Sequence, residues 1–327
     1  MTHLHKRRAV VALLSLTAMG LATAQSGGAY PNKPIRLVVP FAPAGPTDIA
    51  ARLIARKLSE TLGQPVVIDN KPGAGGAVGS AEVARAPADG YTLLYGSSST
   101  LSVNPALYPK LGYDAAKAFE PVGLVARGPQ IVVIHGALPI NNLREFVEYA
   151  KKAPNGLSYS SAGNGSVGHL SAELLTNSLG IKATHIPYKG GAPAINAVVS
   201  GETQFTIDAI GTTSAFVKAG RLKAIAVISD KRTGFMPELP TTKEAGFTPI
   251  TADFWSGIVA PAGTPQPIID RLNREIVKAL KEADVEAQLK NLGAEAQGSS
   301  PAEFTRLIQE ESKKWAEVVV KSGAKAD

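Results

Sequence analysis

Ile35-Arg36-Leu37-Val38-Val39-Pro40-Phe41-Ala42-Pro43-Ala44-Gly45-Pro46-Thr47-Asp48 begins as an apolar, β-branched run and breaks into prolines and small residues before a helical pattern takes over. The run 35–41 predicts a strand covered on both faces, and the apolar spacing over 49–62 predicts the helix that follows. Another apolar run at 66–69 completes a strand–helix–strand unit. Such a unit pairs its strands in parallel and places its helix on the sheet, so the class is α/β.

Outward from this unit the rhythm persists. A helix is expected over 80–86 and a strand over 91–95. Further strands are expected at 131–134, 157–160, 183–187, 204–207 and 222–228, with helices at 143–152, 167–179 and 192–200. Past residue 267 the pattern changes: 267–280, 285–292 and 302–320 read as three amphipathic helices without intervening strands, packed on the first domain. Two extended stretches, 121–127 and 251–260, interrupt the alternation and read as hinge crossovers. The expected architecture is two doubly wound, parallel α/β domains with a ligand cleft between them. Residues 25–126 and 254–327 form one domain, and 127–253 are inserted as the other.

Residues 1–24 read as a signal peptide. Lys6, Arg7 and Arg8 precede an apolar stretch too short to span a bilayer easily, and Ala22-Thr23-Ala24 marks cleavage before Gln25. The expected location is the periplasm. The formal charge of +7 falls to +4 when those three cations are set aside, since no acid precedes Gln25. The remaining cations are scattered, without the basic stripe and stacking aromatics that a nucleic-acid partner requires. There is no cysteine, which excludes disulfides, thiolate catalysis and cysteine-ligated metals.

The junction 40–48 has the chemistry of an anion site. Gly45 admits close approach, Pro46 suits the first helical position, Asp48 reaches back to free amides, and the helix N-terminus favours a carboxylate. Similar junctions recur at Ser97-Ser98-Ser99-Thr100, at Ser161-Ala162-Gly163-Asn164-Gly165-Ser166, at Lys189-Gly190-Gly191, and at Asp208-Ala209-Ile210. Strand ends line the crevice of an open α/β sheet, so these loops are expected to converge on one cleft. The candidate ligand-binding residues are Phe41, Ala42, Gly45, Thr47, Asp48, Ser97, Ser98, Ser99, Thr100, Ser161, Gly163, Asn164, Ser166, Lys189 and Asp208. Asp208 either caps the following helix, the favoured reading, or receives a ligand ammonium. Phe41, Phe254 and Trp255 offer an apolar wall, although aromatics at strand ends are more often core.

Competing chemistries match less well. Gly73-Ala74-Gly75-Gly76-Ala77-Val78 places Val78 where a dinucleotide fingerprint needs its third glycine, so a tight turn is expected and no cofactor. Ser166 sits in a near G-x-S-x-G context, but Asn164 replaces the first glycine, and His169 on a helix is poorly placed as its base. His169 and Glu173 lack a third metal ligand, so His135, His169 and His185 are read as structural and no metal is expected.

Beyond single motifs, the chain resembles the Bug family, the periplasmic receptors of tripartite tricarboxylate transporters. The resemblance spans nearly all of the chain after residue 24 and rests on YPNKPIRLVVPF (30–41), NKPGAGG (70–76), DGYTLL (89–94), SSAGNGS (160–166), HIPYKG (185–190) and VAPAGTP (259–265). It implies a type II periplasmic-binding-protein fold that closes on a carboxylate held by loop amides, hydroxyls and water. The sequence departs from the family's first-loop glycine run, carrying Ala44 and Pro46 there. The expected function is a monomeric, non-catalytic receptor that hands a small carboxylate, such as a dicarboxylate or an aromatic acid, to membrane permease subunits. The alternatives are a secreted serine hydrolase using Ser166, or a ligand-sensing module for a membrane kinase.

Overall fold

Strand β1 (Ile35–Val39) shows why the opening stretch reads as it does: Ile35, Leu37, Val38 and Val39 have no exposed surface, and Arg36 alone reaches an edge. A computed structural model describes residues 30–325. The expected signal peptide and its cleavage point lie outside the described residues. Residues from Lys33 onward form one compact unit, and the preceding unit contributes only 30–32 to the description.

Helix α1 (Pro46–Leu62) starts on proline, whose missing N–H costs nothing there, and stops at Gly63 in the left-handed region, φ 71°. Strand β2 (Val66–Asn70), helix α2 (Ala77–Ala84) and strand β3 (Thr92–Ser97) follow. The chain then enters a π-helical turn, Ser99–Val103, that runs into helix α3 (Asn104–Leu107), too short for its periodicity to show in the sequence. Strand β4 (Phe119–Gly128) leads through Pro129 into β5 (Gln130–His135). The second half continues with α4 (Leu143–Lys152), β6 (Leu157–Ser161), α5 (Val167–Leu179), β7 (Ala183–Pro187), α6 (Gly191–Ser200), β8 (Phe205–Ala209), α7 (Ile210–Lys218) and β9 (Leu222–Ile228). The last elements are β10 (Phe254–Pro261), α8 (Gln266–Ala279), α9 (Ala283–Asn291), β11 (Glu295–Ala296) and α10 (Pro301–Ser322).

These strands build two sheets, one ordered β11-β4-β10-β3-β1-β2 and the other β7-β6-β8-β5-β9. Both are mixed, which corrects the expectation of parallel sheets. β1 is parallel to β2 and β3, but β10 runs antiparallel between β3 and β4. In the other sheet β6 is parallel to β7 and β8, whereas β5 is antiparallel to β8 and β9. The reversal has a topological cause: β4 carries the chain out of the first sheet and β10 brings it back, so the two travel in opposite directions. Both stretches expected to be extended are these strands. Arg127 of β4 donates from Nε to Asp253 Oδ2 at 2.9 Å, joining the outgoing and returning segments, and Asp253 is buried.

The C-terminal reading needs two further corrections. A short strand, β11, does intervene between α9 and α10, pairing with the β4 edge. Helix α10 also packs on more than the first half. Its Trp315, Val318 and Val319 join the cluster of Leu170, Leu175, Tyr159 and Phe146 from the second sheet's layers, as well as contacting β4. Its start is secured by a capping box between Ser300 and Glu303. A fully buried apolar side chain such as Phe146 contributes about 2 kcal/mol to such a core.

Candidate functional site

The two sheets meet across a cavity of about 320 Å³. Phe41, Thr47, Ser97, Ser98, Ser99, Phe254, Trp255 and Ser256 line it from the first sheet's side, and Gln130, Ser166, Ile207, Asp208 and Thr212 from the second's. Leu289 and Leu292, around the end of α9, supply an aliphatic wall.

The loop after β1 is held by a buried carboxylate. Asp48 Oδ2 accepts from the Ala44 N–H at 2.9 Å and from Arg52 Nε at 2.8 Å, while Oδ1 accepts from Asn70 Nδ2 at 2.8 Å. Burial pushes the Asp48 carboxyl up, but the bonds from Arg52, Asn70 and Ala44 outweigh it and hold the group below its usual range. Asp48 thus reaches back as expected and serves the loop rather than the cavity. Gly45 has φ −78° and room for a side chain, whereas Ala44 occupies the left-handed region at φ 66°. The conformational demand falls on the residue that departs from the family pattern.

After β3, the Ser97 N–H donates to Thr100 Oγ1 at 2.9 Å, which closes the turn. The glycine run beside it is structural, as read. Gly76 has φ 91°, and a β-carbon there would stand 2.6 Å from Thr100 Cγ2.

The loop after β6 is braced by a hydroxyl and two imidazole rings. Ser161 Oγ lies 2.6 Å from His185 Nε2, and the rings of His185 and His169 stack at 3.8 Å. The Gly165 N–H donates to His169 Nδ1 at 3.0 Å, and Ser166 Oγ caps α5 by accepting the His169 N–H at 3.2 Å. Ser166 Oγ thus meets His169 through the backbone N–H, as a helix cap. Glu173 accepts the Tyr159 hydroxyl at 2.5 Å.

Asp208 stands at the end of β8. Its Oδ1 accepts from the Ala209 N–H at 2.7 Å and Thr212 Oγ1 at 3.0 Å. The N-cap of α7 is Ala209, without a side-chain cap, so the capping reading is corrected: Asp208 bonds the peptide ahead of the helix and a hydroxyl in its first turn. Burial raises its carboxyl above the usual range, partly offset by those two bonds.

Of the residues singled out from sequence, Phe41, Thr47, Ser97, Ser98, Ser99, Ser166 and Asp208 come together on the cavity wall. Ala42, Gly45, Asp48, Thr100, Ser161, Gly163, Asn164 and Lys189 lie outside it, and Lys189 is exposed. Asp48, Thr100 and Ser161 spend their side chains on the loops themselves. Phe254 and Trp255 line the cavity, and Trp255 is also core, as favoured, buried in the first sheet's apolar cluster. Thr212, from the same junction as Asp208, joins them, and Gln130 and Ser256 do so without a signal in the sequence. Gln130 Oε1 accepts from Ser171 at 2.6 Å. Ser97 Oγ and Trp255 Nε1 are buried without a partner among the described residues.

Electrostatically, the cavity contains no Lys, Arg or His among its lining residues. Positive potential comes from backbone instead. The first turns of α1, α5 and α7 contribute Thr47, Val167, Gly168 and Thr212 to the wall, so three helix N-termini open onto it.

Comparison with known proteins agrees with this arrangement. Residues 50–324 match the family described as the tripartite tricarboxylate transporter family receptor. Protein BugT of Bordetella pertussis is 36% identical over 318 residues, covering 97% of each chain. Among solved structures, the periplasmic binding protein BugD is 38% identical with a TM-score of 0.77, covering 90% of this chain and 99% of that one. MatC from Rhodopseudomonas palustris, solved with bound malate, is 37% identical with a TM-score of 0.77, covering 89% and 100%. Rpa4515 from R. palustris, solved with adipate, is 36% identical with a TM-score of 0.81, covering 90% and 99%. The fold is the two-domain α/β architecture of these periplasmic binding proteins, and the chain belongs to the tripartite tricarboxylate transporter receptor family, as a Bug-type solute-binding protein.

Proposed function

We propose that this protein is an extracytoplasmic receptor that captures a small carboxylate between its two halves and delivers it to transporter permease subunits, without making or breaking bonds. The observation that carries this reading is the cavity: three helix N-termini, hydroxyls and unpartnered donors surround a space of about 320 Å³ that contains no cation. Such a site neutralises a carboxylate with fixed dipoles, and its apolar walls accept a carbon skeleton. The malate and adipate held by its relatives are ligands of this chemical kind.

In this reading 1–24 directs export, 25–126 with 254–327 forms one domain, and 127–253 forms the other. Closure turns about the segments joined by Arg127 and Asp253. The protein acts as a monomer, and Phe41, Thr47, Ser97, Ser98, Ser99, Ser166 and Asp208 contact the ligand.

A thermal-shift screen against mono- and dicarboxylates, aromatic acids and amino acids tests it, because a ligand that binds only the folded state raises Tm by mass action. A saturable rise confined to acids is the expected result. A folded protein that no acid stabilises contradicts the reading.

A further inference from the structure

Every cavity wall has one chemically exceptional member here, and it is Asp208. No other lining residue is ionisable. Its Oδ1 is occupied by the Ala209 N–H and the Thr212 hydroxyl, but Oδ2 receives no hydrogen bond among the described residues, and no cation pairs with either oxygen. A carboxylate oxygen left without a donor on this wall can accept from one that a ligand brings.

We propose that Asp208 makes the cavity selective for a carboxylate that also bears an ammonium group, an amino-acid-like zwitterion, over carboxylates that lack one. The inference rests on the carboxylate-receptor reading and narrows it. The helix N-termini of α1 and α5 complement the ligand's carboxylate, and an ammonium supplies three donors where Oδ2 has none. A dicarboxylate in the same space sets its second anion in a wall whose one ionisable group is an acid, and like charges disfavour one another. Phe41, Ile207, Phe254, Trp255, Leu289 and Leu292 then enclose an aliphatic or aromatic side chain. Because burial raises the Asp208 carboxyl, acidification neutralises it early, and the preference for the amine fades as pH falls.

Calorimetric titration with matched acids that differ only in the amine tests this: leucine against 4-methylpentanoate, phenylalanine against 3-phenylpropanoate, aspartate against succinate. At neutral pH at least one amino acid is expected to bind about tenfold or more tightly than its amine-free partner. Asp208→Asn, which keeps the shape and is checked by its Tm, is expected to collapse that ratio towards one. Amine-free acids that bind the wild type as well as their partners overturn the inference while leaving the receptor reading intact, as does a ratio that survives D208N. If D208N fails to fold, the wild-type ratio and its decline on acidification decide the matter. Succinate binding that strengthens on acidification marks a neutral Asp208 donating to a second carboxylate, which also overturns it. No heat from any acid sinks this inference and the receptor reading together.

Discussion

Two strand–loop–helix junctions face the cavity from opposite sheets, and different side-chain chemistry keeps each in shape. After β1 the brace is a buried charge, Asp48, tied to Arg52, Asn70 and the Ala44 amide. After β6 the brace carries no carboxylate, with Ser161 on His185, His185 stacked on His169, and His169 accepting from Gly165. Both leave a helix N-terminus open to the cavity. They differ in what disturbs them: the first fails when a carboxylate is removed or strongly acidified, the second when an imidazole is removed.

The largest expected effect breaks the second junction by sterics. A β-carbon on Gly165 stands 1.8 Å from Leu107 Cδ2, on a residue with φ 73°. Gly165→Ala is expected to cost about 3 kcal/mol in urea unfolding through overpacking and backbone strain. An unchanged midpoint removes the claimed contact between this loop and α3.

Next comes the charged brace. Asp48→Ala strands the Ala44 N–H and the Asn70 amide, at a cost of about 2 kcal/mol, read from chemical denaturation. The pH dependence has a definite sign. The Asp48 carboxyl is lowered in the folded state, so its contribution is complete above the ordinary value of 3.8 and is lost as pH falls through the depressed one. Wild-type stability should therefore decline more steeply than that of Asp48→Asn in strong acid, and parallel acid limbs contradict the assignment.

A smaller effect separates the junctions by side chain. Replacing His169 with leucine removes the acceptor of the Gly165 N–H. Amide exchange at Gly165 should quicken in His169→Leu while the Ala44 amide stays protected. Equal protection at both sites would erase the contrast.

The smallest change relaxes strain. Ala44→Gly releases a left-handed alanine, with an expected gain of about 0.5 kcal/mol in thermal unfolding, since the strain removed slightly exceeds the entropy glycine adds. A clear loss shows that the alanine is not strained there.

The opening stretch was legible because its signals are local: a buried apolar run, a proline at the first helical turn, and an acid that reaches back four residues. The antiparallel place of β10 was not, because its partners Gly96 and Leu124 are more than a hundred residues away and its own pattern says only that it is extended. The same limit hid Gln130 and Ser256. Each is an ordinary strand residue until the crossing strands turn it towards the cavity. Loop hydroxyls are ambiguous for the opposite reason. Thr100 and Ser161 have binding chemistry, but turns consume hydroxyls, and sequence does not show which ones the loop itself will use. Lys189, a cation near a glycine pair, stands exposed and outside the cavity lining, a placement that its local sequence does not reveal.

The central claim is that a carboxylate binds in this cavity, and calorimetry on wild type and Ala162→Trp tests it most directly. Ala162 lines the cavity from an exposed position, and only its backbone is engaged, through the bond from the Gly190 N–H, so an indole there fills the space without disturbing the core. The acid that most raises the wild-type Tm should bind it at one site per chain and give no heat with Ala162→Trp at an unchanged Tm. Equal affinity for both proteins would place the ligand elsewhere and contradict the account.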